Sequence, residues 1–341
     1  MYSFKNDYSE LAHPRILELL NKYAIEQNSG YGHDEHTKRA IEYIKRHFTK
    51  DVDVHLLIGG TSTNKIVISH ALRPYEAVIS VETGHINVHE TGAIEATGHK
   101  ILTTPGRDGK ITSEEIIKVY QEHNDEHMVK PKMVYISNST EIGTIYTKKE
   151  LTEISQTCKE LGLYLFLDGA RIGVALTAEG NDLTLDDIAN LTDAFYIGGT
   201  KNGALIGEAV IISNDALKPF FRYSIKTNGG LLAKGYLTGI QFEALFSDDL
   251  FFQLAQHANN CATTLKDGLK ELGIEFLNES PTNLQFVILD NKVIEPLRKK
   301  YNFEVWEKRL DQTVIRLVTS WATNPNEVKN FLTDLQQLLN Q

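Results

Sequence analysis

The sequence predicts an α/β fold: a large domain on a mainly parallel seven-stranded sheet, followed by a small C-terminal α+β domain. Three observations carry that prediction. From about residue 50, short runs rich in β-branched and aromatic residues alternate with longer amphipathic stretches, the pattern of successive βαβ units. Several of these runs are apolar at consecutive positions, as suits strands covered on both faces by helices. After about residue 213 the alternation gives way to a long helical stretch, short strands and a terminal helix.

Seven runs supply the strands, over residues 52–58, 77–81, 100–103, 133–137, 163–168, 194–198 and 209–213. Helix starts between them are marked by Thr112, Thr147 and Thr184, each able to cap free backbone N–H groups through its hydroxyl. Glu115 and Glu150 complete a capping box at the first two. Behind Thr147, Leu151, Ile154, Cys158 and Leu161 recur at helical spacing, so Cys158 reads as a small buried apolar residue rather than a reactive thiol. Further on come a helix over about 249–272, a strand at 283–289, a helix near 293–301 and short strands near 303–305 and 314–319. The last helix opens on Asn324-Pro325-Asn326-Glu327, with a cap residue, Pro at the first helical position and an early acid. No linker stands out; the division expected is 1–245, including an N-terminal arm, and 246–341.

At 341 residues the chain suits about two domains. Its 35 Lys and Arg against 45 Asp and Glu give a formal charge of −10, with no basic block, which argues against nucleic acid and anionic membranes as partners. Two cysteines, Cys158 and Cys261, lie far apart with no CxxC or Cys/His cluster, so neither a disulfide framework nor a zinc site is indicated. The first residues lack a signal-peptide layout, and no apolar run reaches the roughly 20 residues that cross a bilayer. A soluble cytoplasmic protein is expected.

The chemistry centres on Asp168 and Lys201. Each follows an apolar strand, and in an open α/β sheet ligands sit beyond the carboxyl ends of the strands, which puts both charges in one crevice. Pyridoxal 5'-phosphate needs such a pair: a lysine amine for a Schiff base with its aldehyde, and a carboxylate that keeps its ring nitrogen protonated. Singly, the same residues also suit a solvated loop lysine and a turn carboxylate. Gly59-Gly60-Thr61-Ser62 adds a phosphate cradle between strand and helix, although Gly-Gly-Thr is also an ordinary tight turn. It matches neither the dinucleotide nor the nucleoside-triphosphate motif. His85, after the strand at 77–81, can stack on a ring or relay a proton. His89, four residues on, leaves a metal pair as an alternative, but no third ligand is apparent and no metal is expected. Arg171 and Arg316 suit a carboxylate ligand; for Arg316, within an apolar strand, an internal salt bridge would serve equally.

These residues resemble the pyridoxal-phosphate-dependent fold-type-I enzymes, and within them the threonine aldolase and β-eliminating lyase group. The resemblance runs over nearly the whole chain, on Tyr31-Gly-His-Asp34, Gly59-Gly-Thr61, Glu82-Thr-Gly-His85, Asp168-Gly-Ala-Arg171 and Thr200-Lys201. It implies an aspartate aminotransferase-like fold. It also implies a Schiff base at Lys201, Asp168 at the pyridine nitrogen, His85 over the ring, and Gly60, Thr61 and Ser62 around the phosphate. Thr200, Arg171 and Lys234 would be further cofactor contacts, and Arg171, Arg316 and Asn6 would hold the substrate carboxylate. The implied activity is retro-aldol cleavage of a β-hydroxy-α-amino acid such as L-threonine or L-allo-threonine to glycine and an aldehyde, with Lys201, Asp168 and His85 catalytic. β-Elimination or transamination of another amino acid is the nearest alternative, and a non-catalytic scaffold a remote one. A homodimer or homotetramer with active sites at the subunit interface is also implied.

Three departures bear on the substrate. Lys5-Asn6-Asp7-Tyr8 stands where the family has Arg-Ser-Asp-Thr, and Ser137-Asn-Ser-Thr-Glu141 where it has Glu-Asn-Thr-His-Asn. Leu232 replaces an arginine after Thr227-Asn-Gly-Gly230, with Lys226 and Lys234 as candidates to replace its charge.

Overall fold

The structure, a computed structural model, describes residues 1–340. Its strands are β1 (Tyr2–Ser3), β2 (Asp53–Leu57), β3 (Glu76–Val81), β4 (Ile101–Thr104), β5 (Lys130–Ser137), β6 (Tyr164–Asp168), β7 (Ala194–Gly198), β8 (Glu208–Ile212), β9 (Glu275–Phe276), β10 (Leu284–Asp290), β11 (Tyr301–Asn302), β12 (Glu304–Lys308) and β13 (Gln312–Val318). All seven runs read from the sequence become strands of one sheet, ordered β2-β8-β7-β6-β5-β3-β4. β5 begins earlier than its apolar run. Its Pro131 sits at the register irregularity between β3 and β5, where a residue without an N–H is tolerated.

Within this sheet β3 to β7 run parallel, whereas β8 is antiparallel to both β7 and β2. The carboxyl ends of β2, β3, β5, β6 and β7 therefore share an edge with the start of β8. Alternate residues feed two cores. Ile79, Val134, Leu165, Phe195 and Ile211 pack on one face with Ile16, Ile44, Ile154 and Cys158. Val78, Tyr135, Phe166, Tyr196 and Val210 pack on the other with Ile66 and Phe221. Cys158 is a buried free thiol whose pKa burial pushes up to about 12, as its place on the helix Lys148–Leu161 led one to expect.

The three threonine caps all form. Thr184 does so with Asp187 as the return acceptor, so its box is as complete as those at Thr112 and Thr147. The helix expected near 293–301 is Asn291–Arg298, capped by Asp290. It ends early because Tyr301 and Asn302 pair with the N-terminal strand.

The smaller unit is a four-stranded antiparallel sheet, β12-β13-β10-β9, with the helix Pro325–Leu339 and the latter part of the helix Leu250–Glu271. The first residues of the arm, placed with the large domain by sequence, instead pair with this unit, while Asp7 and His13 still reach the large domain. β1 lies parallel to β11, Val318 N–H donates to Phe4 O (2.8 Å), and Phe4 is buried beside Leu265 and Phe331. A two-residue strand is too short to show a period in the sequence.

Candidate active site

A cavity of about 440 Å³ opens where the carboxyl edge of the large sheet meets β12 and β13. At its floor is Asp168, the last residue of β6. β5 and β7 flank β6, so the inward period brings Tyr135, Asp168 and Tyr196 to one face. Tyr135 Oη donates to Asp168 Oδ2 (2.6 Å) and Tyr196 Oη to Oδ1. Ala170 N–H donates to Oδ1 and Asn64 Nδ2 to Oδ2, both at 3.0 Å. Burial pushes the carboxyl pKa up, but the two tyrosine hydroxyls together with the charge of His85 and the Ala170 N–H outweigh it, and the group stays below the ordinary carboxylate value. Asn64 Nδ2 also donates to Glu90 Oε1 (2.7 Å), which His85 Nδ1 approaches at 2.8 Å. With a carboxylate as partner, Nδ1 is assigned the proton and Nε2 is left as an acceptor.

Lys201 follows β7, and its amine makes no hydrogen bond or ion pair among the described residues. Burial lowers its pKa, and the charge of Arg171 acts the same way, against the pull of Asp7 and Asp168. A lowered amine pKa frees the lone pair for attack on a carbonyl. Thr200, beside it, also lines the cavity, and its hydroxyl donates to Glu208 Oε1 (2.7 Å). Gly199 N–H donates to Oε2 of the same carboxylate (3.0 Å), whose pKa burial pushes up to about 7. Glu208 heads an antiparallel strand, so a rule based on strand ends misses it; a lone acid before four apolar residues was the available signal.

Gly60 and Thr61 open the helix Gly60–Ala71 and line the cavity. The preceding Gly59 makes no side-chain cap, so first-turn N–H groups stay available to an anion. A Cβ at Gly60 would sit 3.1 Å from Tyr196 Oη, which explains the glycine. Ser62, expected with them, does not line the cavity. Its position on the helix carries it past the opening.

Arg316 lies on β13 opposite Phe286, on the face that meets the large domain. Its Nε is buried without a partner, and Nη2 reaches only Lys5 O at 3.5 Å. No acid pairs with it among the described residues, so the internal salt bridge is not made. Trp306, the bulged residue between Val305 and Glu307, is turned toward it, with the guanidinium 5.8 Å from the ring centre. Arg171 is different. Its Nε and Nη2 are taken up by the buried Asp7, at 2.6 and 3.1 Å, so it reaches the cavity already paired.

Besides Ser62, two expected residues are not brought here. Asn6 caps its own turn, accepting from Tyr8 N–H (3.0 Å) and Ser9 Oγ (2.9 Å), and Tyr8 lines the cavity instead. Lys234 is exposed and away from the cavity, and Lys226 lies 4.9 Å over the ring of Tyr31. Both positions came from the resemblance and not from the topology. Residues the sequence reading missed, besides Glu208, are Tyr135, Tyr196, Trp306 and Glu141. Glu141 Oε1 accepts from Ser137 Oγ (2.7 Å) and from His85 N–H (3.0 Å).

An amine kept free for an aldehyde, next to a charge-bearing carboxylate and a helix N-terminus, suits pyridoxal phosphate: aldehyde, ring nitrogen and phosphate each meet a group of the right kind. Asp168 can accept from the ring nitrogen if Asn64, which also holds Glu90, releases its share. The fold is that of a Thermus thermophilus aspartate aminotransferase mutant, with a TM-score of 0.72 at 15% identity over 99% of this chain and 91% of that one. With the family match and relatives that follow, the class is a pyridoxal-phosphate-dependent enzyme. The family described as beta-eliminating lyase matches residues 18–292, and the chain belongs to it. It is 33% identical to a low specificity L-threonine aldolase of a Pseudomonas species, over 98% of this chain and 96% of that protein. A Leishmania major threonine aldolase structure matches with a TM-score of 0.98 at 52% identity, covering 99% of this chain and all, 100%, of that one.

Proposed function

We propose that this enzyme cleaves L-threonine and related β-hydroxy-α-amino acids to glycine and an aldehyde. The observation that carries the reading is Arg316: a half-buried guanidinium whose Nε is buried and which has no acid partner among the described residues, in the same cavity as the free amine of Lys201. A carboxylate receptor and an aldehyde receptor in one cavity are what an α-amino acid requires. The names of the relatives support the substrate class.

When bound, pyridoxal phosphate supplies an aldehyde for the amine and a protonated ring that draws electrons from the α-carbon. The roles assigned to this chain's own residues follow. Lys201 would hold the cofactor's aldehyde carbon, Asp168 its ring nitrogen and Gly60 and Thr61 its phosphate, with His85 beside the ring. Arg316 takes the substrate carboxylate. Arg171 offers Nη1 while Asp7 fixes its plane. Holding the carboxylate would fix the orientation of the α-carbon in the cavity.

The boundary between domains is placed at 245/246, with the first strand assigned to the smaller unit. The helix Leu250–Glu271 supplies Phe251 to one core and Leu265 to the other, which is why no linker marks it. A dimer or tetramer with the site near a subunit interface is supported by the exposed Phe220 and Tyr223, 76% and 73% accessible, near one another on the large domain. Two buried free thiols support a cytoplasmic setting. Among the described residues no helix is long and apolar enough to cross a membrane.

The test is product analysis of the holoenzyme with L-threonine. Acetaldehyde and glycine in equal amounts are expected. Ammonia with a keto acid would replace the aldolase reading with elimination.

A further inference from the structure

We infer that Glu141 is the catalytic residue that takes the proton from the substrate's β-hydroxyl, an inference that rests on the aldolase reading above. Glu141 lies on the loop after β5, which in the sheet order falls between β6, bearing Asp168, and β3, leading to His85. It lines the cavity with Lys201, Arg316 and Trp306. Oε1 is fixed by Ser137 Oγ and His85 N–H, whereas Oε2 makes no hydrogen bond among the described residues.

No cation pairs with this carboxylate among the described residues. A half-buried carboxylate with no cation partner is costly, and a chain that keeps one needs a reason. The loop is built to hold it. Thr140 and Thr144 join through their hydroxyls (2.7 Å), and Gly143, at φ +82°, closes the turn. From the smaller unit, Asn278 Nδ2 donates to Ile142 O (2.7 Å), while Ser280 Oγ and Thr282 Oγ1 donate to Gly143 O at 3.0 and 3.1 Å. A side chain at Gly143 would run into Ser280. Burial raises the Glu141 pKa, against the hydrogen bond from Ser137, which makes the carboxylate a better base. His85, the candidate from sequence, has its Nδ1 tied to Glu90 and its backbone N–H spent on holding Glu141, a positioning role.

The step balances. The hydroxyl proton passes to Oε2, the O–H electron pair becomes the second bond of the aldehyde C=O, and the Cα–Cβ bond breaks. Its pair remains with the α-carbon, which takes up a proton to become glycine.

Glycine has no β-hydroxyl, so exchange of its α-hydrogen for deuterium needs the cofactor and the arginines but not this base. The experiment compares threonine cleavage with glycine α-hydrogen exchange, followed by NMR, in holoenzyme and in Glu141→Gln, with visible absorbance to check cofactor binding. Glu141→Gln is expected to keep its absorbance and its exchange rate while cleavage falls about 100-fold. A cleavage-to-exchange ratio lowered less than about tenfold overturns the inference, as does a parallel loss of both. Should Glu141→Gln not fold, Glu141→Asp decides: the ratio must fall at least about threefold, because the carboxylate is withdrawn by one methylene. A wild-type enzyme that exchanges glycine but releases no acetaldehyde would instead defeat the aldolase reading itself.

Discussion

Asp168 and Arg316 are both charges withdrawn from water into one cavity, and the chain treats them in opposite ways. Asp168 meets four donors, two from neighbouring strands, one from the following turn and one from the helix Gly60–Ala71. Arg316 meets one backbone oxygen at 3.5 Å and an aromatic face. The first arrangement is a finished piece of structure, stable before anything binds. The second is incomplete, and burial lowers the pKa of the guanidinium, with repulsion from Arg171 adding to it. Lys201 shares that condition, since its pKa is lowered by burial. The contrast separates groups that build the cavity from groups that wait for what enters it, and mutations should split along the same line.

Lys201→Ala gives the largest expected effect. Activity should fall by about 1,000-fold or more, because the nucleophilic amine is gone, while stability is kept or improved. Borohydride reduction of the wild type followed by peptide mapping should label Lys201 and no other residue. A label elsewhere removes Lys201 from the waiting group. Asp168→Ala should do the reverse in stability. It leaves the hydroxyls of Tyr135 and Tyr196 buried without an acceptor, a loss of about 2–4 kcal/mol by urea unfolding, together with loss of the visible chromophore. Unchanged unfolding would mean that the ring of donors adds nothing to the fold.

Arg316→Ala comes next. The expected result is a KM raised about 100-fold with kcat much less affected, since carboxylate binding is lost while the reacting atoms remain. Urea unfolding should show no loss, because an unpaired buried charge is removed rather than a pair broken. A destabilised Arg316→Ala with an unchanged KM would place Arg316 with Asp168 on the structural side.

What could be read in the sequence divides in a related way. Five parallel strands deliver their ends to a common edge, so Gly60, Thr61, His85, Asp168 and Lys201 were legible from strand order alone. Tyr135 and Tyr196 were not singled out, because within an apolar run a tyrosine looks like any other core residue until its neighbour across the ladder is known to be an acid. Glu208 was hidden by the reversed direction of β8, and Trp306 by a bulge that no local pattern announces. Asn6 and Lys234 came from likeness to a family and not from this chain's topology, and they fall outside the cavity, as does Ser62. Arg171 was seen as a free cation because Asp7, its partner, is more than 160 positions away in sequence and joins it only through the N-terminal arm.

Glu208 tests the contrast at its smallest, because it belongs to neither kind. It is hydrogen bonded by Thr200 and Gly199 yet holds its proton up to about pH 7, chiefly because burial disfavours the charge. An unfolded glutamate loses that proton near its model value of 4.5, so above that pH the folded state binds more protons than the unfolded one. Stability should therefore fall as pH rises from about 4.5 to about 7 and level off above, opposite in sign to Asp168, whose lowered pKa adds stability that is lost only in acid. Glu208→Gln carries no ionisable group there and should flatten that slope. The difference in unfolding free energy between variant and wild type should move by about 2–3 kcal/mol in the variant's favour between pH 5 and pH 8. Comparing the two pH values cancels whatever the amide changes in hydrogen bonding at both. A difference that does not move with pH would mean that Glu208 ionises as readily in the fold as out of it, and would put it among the satisfied groups that build the cavity.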